Sequence, residues 1–231
     1  MREVTQIYSL KEWNKRYGRT EKNIVNLHDM GFKGMTMIGS ECLCGGAVFR
    51  QPRFVEYIHN RKKFDGITYF TDKFINPSYI KSIQSKVKVA ILTEPRKLQP
   101  GIYDSIEQDM DCVDLVLTHD RVFLNKHPTK SRFFICSCPI LNYGDIKLHP
   151  KTKLCSMIFS SKTQLDGHQL RHQIYQELKD DPQFVFIDWF GDGVGKYVNN
   201  KIDTLRDYMY SITIENNRKD FYFTEKIFDN F

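Results

Sequence analysis

Residues 87–118 read VKVAILTEPRKLQPGIYDSIEQDMDCVDLVLT. The runs VKVAIL (87–92) and VDLVLT (113–118) are short, apolar and rich in β-branched residues, and segment 101–109 between them has the length and composition of a helix. A strand, a helix and a second strand in so short a span form a βαβ unit, whose strands run parallel because the helix carries the chain back. The pattern recurs outward in MTMIG (35–39), ITYF (67–70), LCSMIF (154–159), FVFID (184–188) and SITI (211–214). Further helices are expected over 76–85, 167–179 and 201–209. The alternation predicts an α/β fold with mainly parallel sheets.

The pattern is lost in SRFFICSCPILNYGDIKLHPKTK (131–153), where two prolines and a glycine break both periodicities. A domain boundary is expected there. It would divide the chain into an N-terminal α/β domain, 1–150, and a second domain, 151–231, that opens on LCSMIF.

The chain has 231 residues, 41% hydrophobic and 13% aromatic, which is enough apolar material for a core and argues against disorder. Its 34 basic and 28 acidic residues leave a formal charge of +6, which favours acidic partners such as nucleotides, phosphosugars or nucleic acid. Six scattered cysteines (Cys42, Cys44, Cys112, Cys136, Cys138, Cys155) do not make the framework of a disulfide-rich secreted domain. The C-x-C spacing of two pairs is not the usual zinc knuckle, so reduced, buried thiols are expected. The first 22 residues lack the apolar run of a signal peptide, and no run of 18 apolar residues occurs. A soluble, cytoplasmic protein without a membrane span is the expectation.

Three places carry chemistry-bearing residues. Ser160, Ser161, Lys162 and Thr163 follow the LCSMIF strand and precede a helix containing Arg171. Free amides at such a helix start favour a phosphate, and an arginine adds a bidentate cation. An ordinary βα turn with a surface arginine fits the same residues. Glu215 and Asn216 follow SITI and lead to Tyr222, Thr224, Glu225 and Lys226. With Thr224 as N-cap, Lys226 falls in the first helical turn, where a cation is misplaced unless an anion shares the site. A solvated helix start is the alternative. Glu94 lies just past VKVAIL, at the strand end where α/β folds place ligands, and Pro95 keeps the chain extended there. A purely structural role for Glu94 is equally open.

The segment ENNRKDFYFTEK (215–226) resembles the E-N-(S/T)-x-x-x-(D/G)-Y-(I/V)-T-E-K signature of the α1,3/4-fucosyltransferases, glycosyltransferase family 10. Upstream, FSSKTQLDGHQLRHQIYQEL (159–178) is similar to the family's loop and helix that carry a diphosphate-contacting arginine, at the place of Arg171. FGDGVG (190–195) is similar to its glycine-containing turn, and VKVAILTEPRKLQPGIYDSIEQDMDCVDLVLTHDRVFL (87–124) to its acceptor-side stretch, with Glu94 at the catalytic base.

The resemblance implies a GT-B-like fold of two Rossmann-like domains, the second incomplete, and inverting transfer of fucose from GDP-fucose to a glycan hydroxyl. Glu94 would take the acceptor proton. Arg171 and Lys226 would steady the leaving diphosphate, Glu225 would accept from sugar hydroxyls, and Tyr222 would line the donor site with Ser160, Ser161, Glu215 and Asn216. No cofactor or metal is implied. The D-x-D at Asp109–Asp111 is not placed after a strand as a metal-dependent site would require.

Asn217 replaces the signature's serine or threonine, and Phe221 and Phe223 make the segment more aromatic. These departures leave another nucleotide sugar open as donor. Relatives continue past this motif, so the chain reads as truncated inside the helix that carries Phe228 and Phe231. Two other classes stay open beside a transferase: a nucleotide-sugar-binding protein without turnover, and a basic nucleic-acid-binding module. Lysines and arginines are, however, spread along the chain without a recognisable nucleic-acid motif.

Overall fold

The computed structural model describes residues 23–28, 55–135, 141, 145 and 147–230. The expected strand at 35–39, both C-x-C pairs and Phe231 lie outside the described residues. Cys112 and Cys155 are free and buried.

The first sheet has six strands: β1 (Asn23–His28), β2 (Val55–His59), β3 (Lys63–Thr71), β4 (Gln84–Leu92), β5 (Leu115–Thr118) and β6 (Ser131–Phe133). They lie in the order β2-β1-β3-β4-β5-β6, with every pair parallel. The C-terminal halves of β3 and β4 are the buried halves, which gives the hydrophobic runs that the sequence displays. Among the described residues, three helices return the chain: α1 (Pro77–Ser82), α2 (Pro100–Gln108) and α3 (Arg121–Lys126).

Local signals start these helices. Asn76 accepts from the Tyr79 N–H at 3.1 Å and Asp120 from the Phe123 N–H at 2.8 Å, satisfying donors that a helix start leaves free. Proline opens α1 and α2, where its missing N–H has no consequence. Ile80, Ile83, Tyr103, Ile106 and Phe123 bury against Phe70, Ala90, Leu92 and Val116 in one core. Each large side chain so buried contributes about 1.5–3 kcal/mol.

The link from β2 to β3 is only Asn60–Lys62. Asn60 takes a left-handed turn at φ 55°, and the buried Asn26 carboxamide grips Arg61 on both sides, accepting from its N–H at 3.0 Å and donating to its carbonyl at 2.8 Å.

The second sheet comprises β7 (Lys153–Ile158), β8 (Ile187–Phe190) and β9 (Tyr208–Ile212), again all parallel, in the order β8-β7-β9. Helix α4 (Asp166–Leu178) lays Ile174, Tyr175 and Leu178 on a core of Cys155, Met157, Phe159 and Ile187. A four-residue helix, α5 (Glu225–Phe228), follows the loop after β9. The break between the sheets falls between Phe133 and Lys153.

Three expectations require correction. The helix expected over 201–209 is a 3₁₀ turn, Lys201–Thr204, followed by β9. Pairing with β7 prevails over local propensity: Tyr208 is buried and donates to Asp188 Oδ2 at 2.5 Å, while Ser156 Oγ on β7 donates to the Thr204 carbonyl at 2.5 Å. The strand expected at 184–188 starts later, at Ile187, because Pro182 and the Asp181 side chain, which accepts from the Gln183 N–H, close a turn through Phe184. Likewise β9 spans Tyr208–Ile212 rather than 211–214. No helix among the described residues is long and apolar enough to cross a membrane.

Candidate functional site

The C-terminal edge of the first sheet carries Glu94 after β4, His119 after β5 and Phe133 at the end of β6. Tyr103 on α2 is fully buried and donates to the Glu94 carbonyl at 2.9 Å, fixing the backbone on which the carboxylate sits. Burial pushes its phenol up to about 12, so the hydroxyl stays a donor. Arg96 stacks 4.5 Å above the Tyr103 ring and pairs with Glu107 at 2.6 Å. The His119 imidazole is buried, which holds it below the ordinary histidine range despite the neighbouring Asp120.

In the second sheet, the glycine turn follows β8. Gly191 has φ 99°, and a Cβ there would strike the Phe159 carbonyl, so this position requires glycine. Its role is to let the turn close over the end of β7. Ser160 is half-buried and Ser161 exposed in the loop that follows Phe159.

The loop after β9 lies on the start of α4. The Gly167 N–H donates to the Asn216 carbonyl at 3.1 Å, and any side chain at Gly167 would collide with the Glu215 carbonyl. The amide expected to face a phosphate is therefore taken by the protein itself. Arg171 is buried rather than exposed: Nε and Nη2 donate to the Ile214 carbonyl at 3.0 and 2.5 Å, and Nη2 also to Asn216 Oδ1 at 2.7 Å. Burial lowers its pKa, with Glu215 and Glu225 opposing. His168 Nδ1 accepts from the Leu165 N–H at 3.3 Å, so the neutral ring carries its proton on Nε2, and burial followed by Arg171 lowers its pKa.

Glu215 spends both carboxylate oxygens on Thr224, one on its N–H at 2.9 Å and one on its hydroxyl at 2.8 Å. Thr224 in turn caps α5, its hydroxyl oxygen accepting from Lys226 Nζ at 3.0 Å. Lys226 also pairs with Glu225 at 2.9 Å. Burial pushes the Glu225 carboxyl up, but Lys226 and Lys201 together outweigh it and the net shift is downward. Behind α5, the buried Asp229 pairs with Lys201 at 2.6 Å and accepts from the Leu141 N–H.

The two edges meet. The Tyr222 hydroxyl donates to Glu94 Oε2 at 3.4 Å, a long bond between residues 128 positions apart. Burial, then the Glu94 charge, hold the Tyr222 phenol far above its usual range, so it remains protonated. The Tyr222 and His119 ring centroids are 5.3 Å apart. Beside them Phe221 meets Phe133 edge-on at 5.2 Å, with Arg121 4.3 Å above the Phe221 ring. Lys97 reaches Asp166, at the start of α4, at 2.7 Å.

Phe221 has φ 62°, a left-handed conformation that costs a bulky side chain about 1–2 kcal/mol. Glycine or aspartate would tolerate this turn better than a phenylalanine. Here the contacts with Arg121 and Phe133 offset part of the strain.

The structure thus gathers Arg171, Glu215, Asn216, Tyr222, Glu225 and Lys226 into one network and brings Tyr222 to Glu94. Ser160 and Ser161 stand in the neighbouring loop. Asn217 is buried and its Nδ2 has no acceptor. Sequence reasoning missed His119, Arg121 and Phe133. Their signal was positional: all follow or end strands at the edge that already held Glu94.

Asp109 and Asp111 of the D-x-D pair with Lys81 and Lys130, and no acidic, histidine or cysteine cluster able to hold a metal occurs among the described residues. Comparison with the profiles of known families, with curated proteins and with solved structures gives no match to this chain.

Proposed function

We propose that the chain is a GT-B-like inverting glycosyltransferase that moves a sugar, fucose from GDP-fucose in the first instance, to a glycan hydroxyl. The observation that carries this reading is the meeting of Glu94 with Tyr222 across two parallel sheets. It sets a carboxylate at one C-terminal strand edge against a network of two cations and two carboxylates at the other, and such edges are where α/β sheets bind ligands.

Glu94 accepts the proton of the acceptor hydroxyl as that oxygen attacks the anomeric carbon. The bond from that carbon to the diphosphate breaks, and its electron pair leaves with GDP, so the configuration inverts. Lys226, poised at the start of α5, neutralises the leaving diphosphate directly. Arg171 contributes positive charge while holding the 214–216 backbone in place, and Glu225 receives sugar hydroxyls. Tyr222 keeps Glu94 oriented. The proposed setting is the cytoplasm.

Binding without turnover is the second reading. It draws on the same contact, because Tyr222 already donates to one oxygen of the base. Thermal unfolding with GDP, UDP, CMP and GDP-fucose separates the possibilities. Ligand at about 100 times its dissociation constant should raise the melting temperature by about 5–10 °C with GDP and GDP-fucose alone. No shift with any nucleotide would defeat the donor site. If GDP-fucose binds, Glu94→Gln should keep the shift and abolish transfer to any acceptor the wild type uses; full activity in the variant would remove Glu94 from the mechanism.

A further inference from the structure

Phe133 and Phe221 come from opposite sheets and leave 45% and 44% of their surface exposed, although they touch each other at 5.2 Å and 79°. Each element around them could have buried a ring or dispensed with it. Phe133 ends the edge strand β6, and Phe221 holds a left-handed backbone that glycine would hold without strain. Strain of this kind persists where surrounding structure enforces it, and it concentrates at ligand clamps. Arg121, the first residue of α3, lies 4.3 Å above Phe221 and 5.3 Å from the Phe133 ring, fixing the pair in place. The next residue, Tyr222, places its hydroxyl against Glu94.

From this placement we infer that Phe133 and Phe221 form the stacking platform for the sugar ring of the acceptor. The inference rests on the glycosyl-transfer reading for the role of that sugar, but the platform is a binding site in its own right. A pyranose has one face of C–H groups carrying slight positive charge, which matches the negative face of an aromatic ring. Its hydroxyls point outward around the rim. Seated against these rings, the sugar presents its rim to the Arg121 guanidinium on one side and, on the other, to Glu94, which the hydroxyl of the neighbouring Tyr222 meets at 3.4 Å. Two partly exposed rings with a donor and an acceptor at their border fit a neutral saccharide. A free anion would gain from Arg121 but nothing from the rings.

The test measures binding of methyl glycosides and short oligosaccharides ending in galactose, glucose, mannose or N-acetylglucosamine to the full chain, by saturation-transfer NMR and calorimetry, with GDP binding measured in parallel. Phe221→Gly removes the ring and relieves the backbone, so its fold is secure; Phe133→Ala removes the second ring. Tyr210→Ala, which removes an exposed ring in the middle of edge strand β9, is the control. The expected result is a saccharide that the wild type and Tyr210→Ala bind equally and that either platform variant binds about tenfold more weakly, with GDP affinity unchanged. Equal saccharide affinity in all four proteins, or no saccharide bound by the wild type, would overturn the platform. Weakened GDP binding with unchanged saccharide binding would assign the rings to a nucleobase and overturn it equally. Loss of saccharide binding in the platform variants of a protein that binds no nucleotide would keep the platform and remove the transfer reading.

Discussion

The two sheets solve the same problem with different materials. Among the described residues, the main apolar cluster of the first sheet and its helices holds twelve buried side chains, whereas that of the second holds four. The loops of the first sheet are therefore fixed by what lies beneath them, as Tyr103 fixes Glu94. Those of the second are fixed by polar side chains turned inward: Arg171 on the Ile214 carbonyl, Glu215 on Thr224, Asp229 on Lys201. A thin sheet has little apolar area to offer, so directional bonds define its loops. The teaching is that charge in the second sheet is first a structural material, and a residue such as Arg171 serves any ligand through the loop it pins.

This contrast can be broken most severely in the first core. Phe123→Ala should lower unfolding free energy by about 3–5 kcal/mol, read by urea denaturation, because the fully buried ring packs on Tyr103. A loss as small as that of an exposed residue would mean that the first sheet is not held by its core. In the second sheet the corresponding break is Gly167→Ala, whose Cβ meets backbone rather than a movable side chain. A cost of about 1–3 kcal/mol is expected, together with loss of any nucleotide-dependent thermal shift as loop 215–217 lifts away. Unchanged stability would show that the loop is not seated on α4.

Acid sharpens the comparison further. His28, His59 and His119 in the first sheet, and His168 in the second, all have pKa values lowered by burial from the ordinary 6.5. The unfolded chain then binds more protons than the folded one, so stability is full above pH 6.5 and is lost as pH falls below it. His119→Phe and His168→Gln should each flatten that slope, seen in melting temperatures between pH 7 and about pH 5. Slopes identical to wild type would mean that these rings titrate normally. The smallest effect is expected at Lys97→Ala: its pair with Asp166 is exposed, so the denaturation midpoint should not move. A clear drop would assign this contact a role in joining the sheets.

Legibility followed the same division. VKVAIL and VDLVLT announced β4 and β5 because strands buried on both faces need unbroken apolar runs. The short strands β1, β2 and β6 carry weaker patterns; NIVNLH (Asn23–His28) holds two buried asparagine and histidine side chains that make sense only against Arg61 and Tyr79. Around the site, the residues of 215–226 were legible as a group. Their assignments were less so: Arg171 has the position of an exposed helical cation, yet it is buried by a loop more than forty residues further on.

By itself, then, the sequence determined the α/β alternation, the parallel sheets, the strand end just before Glu94 and the capped turn at Thr224. These depend on periodicity and on interactions within a few residues. Only the tertiary structure decided that 201–209 is turn and strand rather than helix, that the start of α4 is covered by Asn216, and that Tyr222 meets Glu94 beside Phe133 and Phe221. Each of these depends on contacts between residues far apart in the chain, whose free energy outweighs local preference but leaves no local pattern to read.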